Sequence, residues 1–162
     1  MNEDEIVQFT RCWELAEHGD SDAQCDLGVM FAQGWGVLKS DPKAVEWFQR
    51  AAEQGHAQAQ TNLAVMYERG RGVPKDERRA VEWYQRAAEQ GYAEAQLDLG
   101  NRYSQGRGVT KDERKAVEWY RKAAEQGIAN AQNNLGLMYA EGRGVTKNEP
   151  KAVDWYQKAA MG

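Results

Sequence analysis

The chain has 162 residues, 41% of them hydrophobic and 28% charged, with a formal net charge of −4 and two cysteines. That length suits one domain, and mild acidity with Lys and Arg mixed among Glu argues against a nucleic-acid-binding chain, which carries a basic face. No apolar run approaches the roughly 18 residues of a membrane span, and the acidic start, Met1 to Phe9, lacks the basic segment and apolar stretch of a secretory signal. The expectation is a cytoplasmic chain without membrane insertion, periplasmic or secreted if a signal peptide has been removed.

In chain order, residues 1–18 are expected to form an N-terminal capping helix. Arg11, Cys12, Leu15 and Ala16 fill the places that Trp47, Phe48, Ala51 and Ala52 fill one period later. Terminal units of repeat arrays are altered because one side faces water. From residue 19 the chain repeats: Trp47, Trp83, Trp119 and Trp155 stand 36 residues apart, and their surroundings recur without insertion. The units run about 19–55, 56–91, 92–127 and 128–162. A fixed period in this range is the signature of a solenoid in which each unit buries its apolar face against its neighbours.

One unit reads as a helical hairpin. Ala59, Leu63, Met66 and Tyr67 lie at helical spacing along residues 57–69. Gly70 follows, where a left-handed residue closes a helix, as do Gly34, Gly106 and Gly142. A short loop leads to Asp76, expected to cap the second helix and repeated as Asp41, Asp112 and Asn148. Pro42 sits just inside such a start, where its missing N–H is harmless. The second helix, residues 77–90, carries Ala80, Val81, Trp83, Tyr84, Ala87 and Ala88, with Trp and Tyr expected to pack between hairpins; Gly91 ends it. The expected fold is all-α: an α/α superhelical solenoid of four 36-residue hairpins plus an N-terminal helix, in one continuous domain. The last aromatic pair, Trp155 and Tyr156, has no polar capping helix after it, so that end is expected to stand exposed or to be covered.

Few residues suggest chemistry. Gly-Arg-Gly-Val at Gly70, Gly106 and Gly142 invites a phosphate reading, but it recurs once per hairpin, follows no strand and lacks a Lys-Ser or Lys-Thr at the required spacing. Helix closure is the stronger reading. His18 and His56 adjoin the inter-hairpin glycines and have no ligand set at metal spacing, so they read as turn residues. No catalytic pairing is legible, and no metal site or cofactor is expected. A hairpin turning near Gly19 places Cys12 and Cys25 at similar heights on adjacent helices. They are either bridged, or two free thiols with one buried and one in the groove.

The string Ala131-Gln132-x-Asn134-Leu135-Gly136-x-Met138-Tyr139-x-x-Gly142-x-Gly144-Val145, followed by Lys151-Ala152-Val153-x-Trp155-Tyr156-x-x-Ala159-Ala160, closely resembles the Sel1-like repeat. That family is related to tetratricopeptide repeats, and the resemblance covers residues from about 20 to 160. It implies an adaptor for protein complexes, commonly in bacteria. Departures are Cys25, Phe31 and Trp35 in the first unit, and Gln96-Leu97-Asp98 and Asn101-Arg102 in the third. Some cysteine-rich members bind or hydrolyse β-lactams, but their paired cysteines would fall near Ala52 and Gln60.

If first helices line the groove, as in the tetratricopeptide relatives, the candidate partner-binding residues are Asp22, Asp26, Gln58, Asn62, Glu68, Arg69, Glu94, Asp98, Asn101, Asn130, Asn133 and Asn134. Carboxylates outnumber Arg69 there, which favours a basic partner and repels phosphate backbones. Asparagine amides, each both donor and acceptor, suit an extended main chain. Trp35 joins them as an interface aromatic, the alternative being that it folds over the N-terminal helix to cover Trp13 or Leu15. The expected function is a non-enzymatic, monomeric adaptor binding a protein or peptide in an acidic concave groove. The alternatives are a dedicated inhibitor or immunity protein holding a folded toxin or enzyme, and a β-lactam-binding or -hydrolysing protein.

Overall fold

Nine α-helices make up the computed structural model, which describes residues 3–162; every count below is of those residues. They are α1 (Glu3–Glu17), α2 (Ser21–Gln33), α3 (Asp41–Glu53), α4 (Ala57–Arg69), α5 (Glu77–Glu89), α6 (Ala93–Gln105), α7 (Glu113–Glu125), α8 (Ala129–Glu141) and α9 (Glu149–Met161). Met1 and Asn2, the first residues of the expected capping helix, lie outside the described residues. The chain forms two compact units, Met1–Trp83 and Tyr84–Gly162.

Helix ends explain the hairpin. Gly34, Gly70, Gly106 and Gly142 close the first helices at φ of 75°, 64°, 69° and 70°, as expected, and each donates its amide to the carbonyl four residues back. Only glycine takes that left-handed geometry without cost. The loop then returns to its helix, the amides of Ser40, Asp76, Asp112 and Asn148 donating to Phe31, Tyr67, Tyr103 and Tyr139. Asp76, Asp112 and Asn148 also accept from backbone amides of the next turn, the N-cap bond. In the first hairpin the cap is Ser40, which accepts from the Lys43 amide, not the expected Asp41. Asp41 is the first helical residue, and its carboxylate faces Arg71 at 2.7 Å.

In Met1–Trp83, α1 packs on α2, α2 on α3 and α3 on α4 around Leu27, Phe31, Phe48 and Leu63. In Tyr84–Gly162, α6, α7, α8 and α9 pack in turn around Leu99, Tyr120, Leu135 and Met138. In the α2–α3, α6–α7 and α8–α9 hairpins the second aromatic fills the space over a first-helix glycine: a methyl group added at Gly28, Gly100 or Gly136 would strike the rings of Phe48, Tyr120 or Tyr156. The tryptophans divide. Trp47 is buried, whereas Trp83, Trp119 and Trp155 are only half-buried, with Lys122 and Lys158 stacked 4.3 and 4.2 Å over the last two. The aromatic pair thus does not bury as one block.

Side-chain amides stitch helix ends. Gln24, Gln60, Gln96 and Gln132, all buried, donate to the carbonyls of Ala16, Ala52, Ala88 and Ala124 at 3.0–3.2 Å. In the second unit Arg102 is buried where other repeats have methionine, its guanidinium carbon 5.9 Å from the Tyr84 ring centre.

Candidate interaction site

In the first unit, Asp22 and Asp26 project from one face of α2 at i, i+4 spacing, both exposed. His56 does more than turn the chain. It is the N-cap of α4: Nδ1 accepts from the Ala59 amide at 3.1 Å, and Nε2, which then carries the proton, faces the Asp22 carboxylate at 3.0 Å. Burial, then the neighbouring Asp22, pushes the Asp26 carboxyl up from its ordinary value. Asn62 on α4 is half-buried and directs its amide to the Cys25 sulfur at 3.9 Å. Gln58 and Arg69 are exposed and Glu68 half-buried, the last two at the C-terminal end of α4.

Both cysteines are free, so the pairing alternative falls. Cys25 is buried and Cys12 half-buried. Burial raises their thiols to about 12 and about 11, with Asp26 adding to both.

In the second unit Glu94 is exposed and Asp98 half-buried on α6. Asn101 Oδ1 accepts from the Tyr120 hydroxyl at 2.8 Å and from the Asn134 amide at 3.3 Å, which joins neighbouring first helices side by side. Burial holds the Tyr120 hydroxyl protonated above its ordinary range. Asn130 and Asn133 are exposed on α8. Asn101 and Asn134 therefore come together, and Asp22 with Asp26.

Trp35 follows the first helix α2 in the chain and does not lie on it. It lies on the α2–α3 loop, 45% exposed, and lines a cavity of about 460 Å³ between α1 and α2 together with Leu15, Asp22 and Asp26. Of the two residues that Trp35 is alternatively expected to cover, Leu15 shares this cavity with it, while Trp13 packs edge-on against Trp47 at 5.3 Å and tilted against Phe9 at 5.8 Å. Sequence reading missed Arg11, Cys12 and Asp20 as walls of this cavity. No group of three His, Cys, Asp or Glu suited to a metal ion occurs among the described residues, and no described helix is long and apolar enough to cross a membrane.

The Sel1 repeat family matches this chain four times, over residues 21–56, 57–92, 93–128 and 129–162. Among solved structures it is similar to a protective antigen with an SLR fold from uropathogenic Escherichia coli, at 42% identity and a TM-score of 0.92, covering 94% of this chain and 33% of that one. It is similar also to a Sel1 repeat protein from Oxalobacter formigenes, at 40% identity and TM-score 0.85, covering 89% of this chain and 59% of that one. An immunity protein from Pseudomonas aeruginosa follows at 25% identity and TM-score 0.62, covering 93% of this chain and 56% of that one. The chain thus spans a third to three fifths of the length of these relatives. No curated protein matches it.

Proposed function

The chain belongs to the Sel1 repeat family, whose members are adaptors in protein–protein interaction, and on that premise we propose that it is a non-enzymatic adaptor whose first-helix faces hold a polypeptide segment. The supporting observation is a division of labour between positions. Packing residues recur with little change, as at Leu27, Leu63, Leu99 and Leu135, all fully buried, while the exposed first-helix positions change from unit to unit. Uniform positions build the scaffold; varied ones carry recognition.

In the first unit the varied face is acidic, with Asp22, Asp26 and Glu68 against Arg69, and suits a basic segment. In the second unit it combines Glu94 and Asp98 with four asparagines. Asn101 and Asn134, pinned by each other and by Tyr120, offer their remaining amide donor and acceptor to a main chain at little further entropic cost.

A second reading, an inhibitor gripping a folded toxin or enzyme, draws on the resemblance to the Pseudomonas immunity protein. The two differ in what the faces accept. Replacing Asp26, Asp98 and Asn134 together with Ala is expected to weaken binding of a partner isolated from the native host at least tenfold while leaving the melting temperature within a few degrees. Unchanged binding overturns the assignment of the faces. Competition by a short basic peptide from that partner favours the segment reading, whereas a requirement for the folded partner favours the inhibitor.

A further inference from the structure

The cavity between α1 and α2 is a repeat feature that has been rebuilt. One period later a crevice of about 180 Å³ is lined by Phe48, Asn62, Val65, Met66 and Arg71. The residues 36 positions earlier, Cys12, Asp26, Val29, Met30 and Trp35, line the larger cavity of about 460 Å³. Two positions are unchanged, Val29 as Val65 and Met30 as Met66, and three have changed in ways that act together.

Cysteine in place of phenylalanine removes a ring and opens the space. Aspartate in place of asparagine puts a negative charge on the wall. Tryptophan in place of arginine does two things. Arg71 gives its own crevice a cationic wall residue and is tied to Asp41 through two hydrogen bonds, of 2.7 and 3.2 Å; Trp35 withdraws that built-in cation and leaves an indole face in its place.

The outcome is a cleft with an aromatic wall, an aliphatic wall from Leu15 and Met30, and carboxylates from Asp20, Asp22 and Asp26 against Arg11 alone among its described lining residues. Asp20 is already engaged as the cap of α2, accepting from Ala23, and Asp22 is engaged with His56. Asp26 is the carboxylate that remains to face an occupant.

An alkyl stem ending in a positive charge fits this combination. Its methylenes lie along the apolar wall, its charge sits over the indole face, and a carboxylate completes a charge-assisted hydrogen bond. Resting on the reading of this chain as a protein-binding adaptor, we propose that the α1–α2 cleft seats one arginine or lysine side chain of a protein partner, held between Trp35 and Asp26. Trp35 and Asp26 are then specificity-determining residues: they select a basic residue at one place in the bound segment.

The test is an amide-resolved NMR titration of the full chain with acetyl-Gly-Arg-Gly-amide, set against the same peptide with norleucine. The arginine peptide is expected to shift the Trp35 indole and the α2 amides around Asp26 saturably, and the norleucine peptide to bind at least tenfold more weakly. Trp35→Arg and Asp26→Asn, each restoring the residue that the next repeat carries, should weaken the arginine peptide at least fivefold. Trp35→Tyr, which keeps an aromatic wall, should cost no more than threefold. Well-dispersed spectra certify the fold of each variant. Equal binding of the norleucine peptide, parent-like binding by both restoring variants, or no saturable shift up to 10 mM peptide overturns the cleft. If the host partner still binds the restoring variants at full strength, the cleft falls while the adaptor reading stands. If no host protein binds the parent chain at all, the adaptor reading falls with it.

Discussion

The α2–α3 loop and the α4–α5 loop share one backbone and differ in what they carry. Both begin with a left-handed glycine, Gly34 or Gly70, and both return to the first helix by an amide donated to Phe31 or Tyr67. A second positive-φ glycine in each, Gly36 or Gly72, lies against the start of α1 or α3: a methyl group there would press on the carbonyl of Glu5 or Asp41. On this common frame one loop presents Arg71, tied to Asp41, and the other presents Trp35, half open to solvent. Backbone geometry is thus set by glycines and caps, and side chains between them can change without disturbing it. A repeat array diversifies its surface in this way while keeping its core.

The largest expected effect separates a tryptophan that builds the scaffold from one that does not. Trp47 is 4% exposed, with the Trp13 ring 5.3 Å away and the Arg50 guanidinium 4.4 Å over its face. Trp47→Ala should cost about 3–5 kcal/mol in urea unfolding, the range for truncating a buried aromatic. Trp35→Ala should cost less than about 1 kcal/mol, as for an exposed position. A large loss at Trp35 would make it a cover for the N-terminal helix and erase the contrast.

Next come the glycines. Gly72→Ala combines a left-handed φ of 70° with collision against the Asp41 carbonyl, and is expected to cost about 2–4 kcal/mol from the conformational penalty and overpacking together. Gly55 has φ of 88° but open space around it, so Gly55→Ala should cost only about 1–2 kcal/mol. Equal losses in thermal melts would show that the close approach of the loop to Asp41 contributes nothing.

The smallest effect belongs to the ion pair. Arg71 holds the Asp41 carboxyl below the usual carboxylate range, chiefly through its hydrogen bond. Both side chains are partly exposed, so Arg71→Ala should cost only about 0.5–1 kcal/mol at pH 7. A carboxyl lowered on folding stabilises above its unfolded value near 4 and loses that contribution as pH falls through its lower folded value. The difference between parent and variant should therefore be full at pH 7 and shrink toward zero in acid. A difference that persists at pH 2 would assign Arg71 a packing role instead.

Much of the fold was legible because period, glycine and cap are local signals. The 36-residue spacing gave the hairpins, and Gly70, Gly106 and Gly142 gave their closures. The misplacements were one residue wide or concerned which face is inside. Ser40 and Asp41 are adjacent and both favour N-caps, so residue type alone did not choose between them; the 36-residue period does, because Ser40 stands 36 residues before Asp76, while Asp41 is the equivalent of Glu77, Glu113 and Glu149, the first residues of the later second helices. The sequence did not say which of Cys12 and Cys25 is buried; it is Cys25, one step round α2 from the exposed Asp26, while Cys12 is half-buried. Trp83, Trp119 and Trp155 looked as deeply packed as their neighbours, yet all three are half-buried; after Trp119 it is the next ring, Tyr120, packed over Gly100 on the first helix, that takes the inner place. Arg102 seemed to disrupt its repeat and is instead absorbed beside the Tyr84 ring. The α1–α2 cleft was hidden for a different reason: its walls come from Cys12, Asp26 and Trp35, which meet only when the register of one crevice is laid over the next.

The claim that recognition lies on the varied first-helix faces is tested most directly by carboxylate footprinting with carbodiimide and glycine ethyl ester, in the presence and absence of a partner isolated from the native host. The account predicts that binding slows labelling at Asp22, Asp26, Glu94 and Asp98 and leaves Asp41, Glu113 and Glu149, at the starts of second helices, unchanged. Protection confined to Asp41, Glu113 and Glu149 would contradict it.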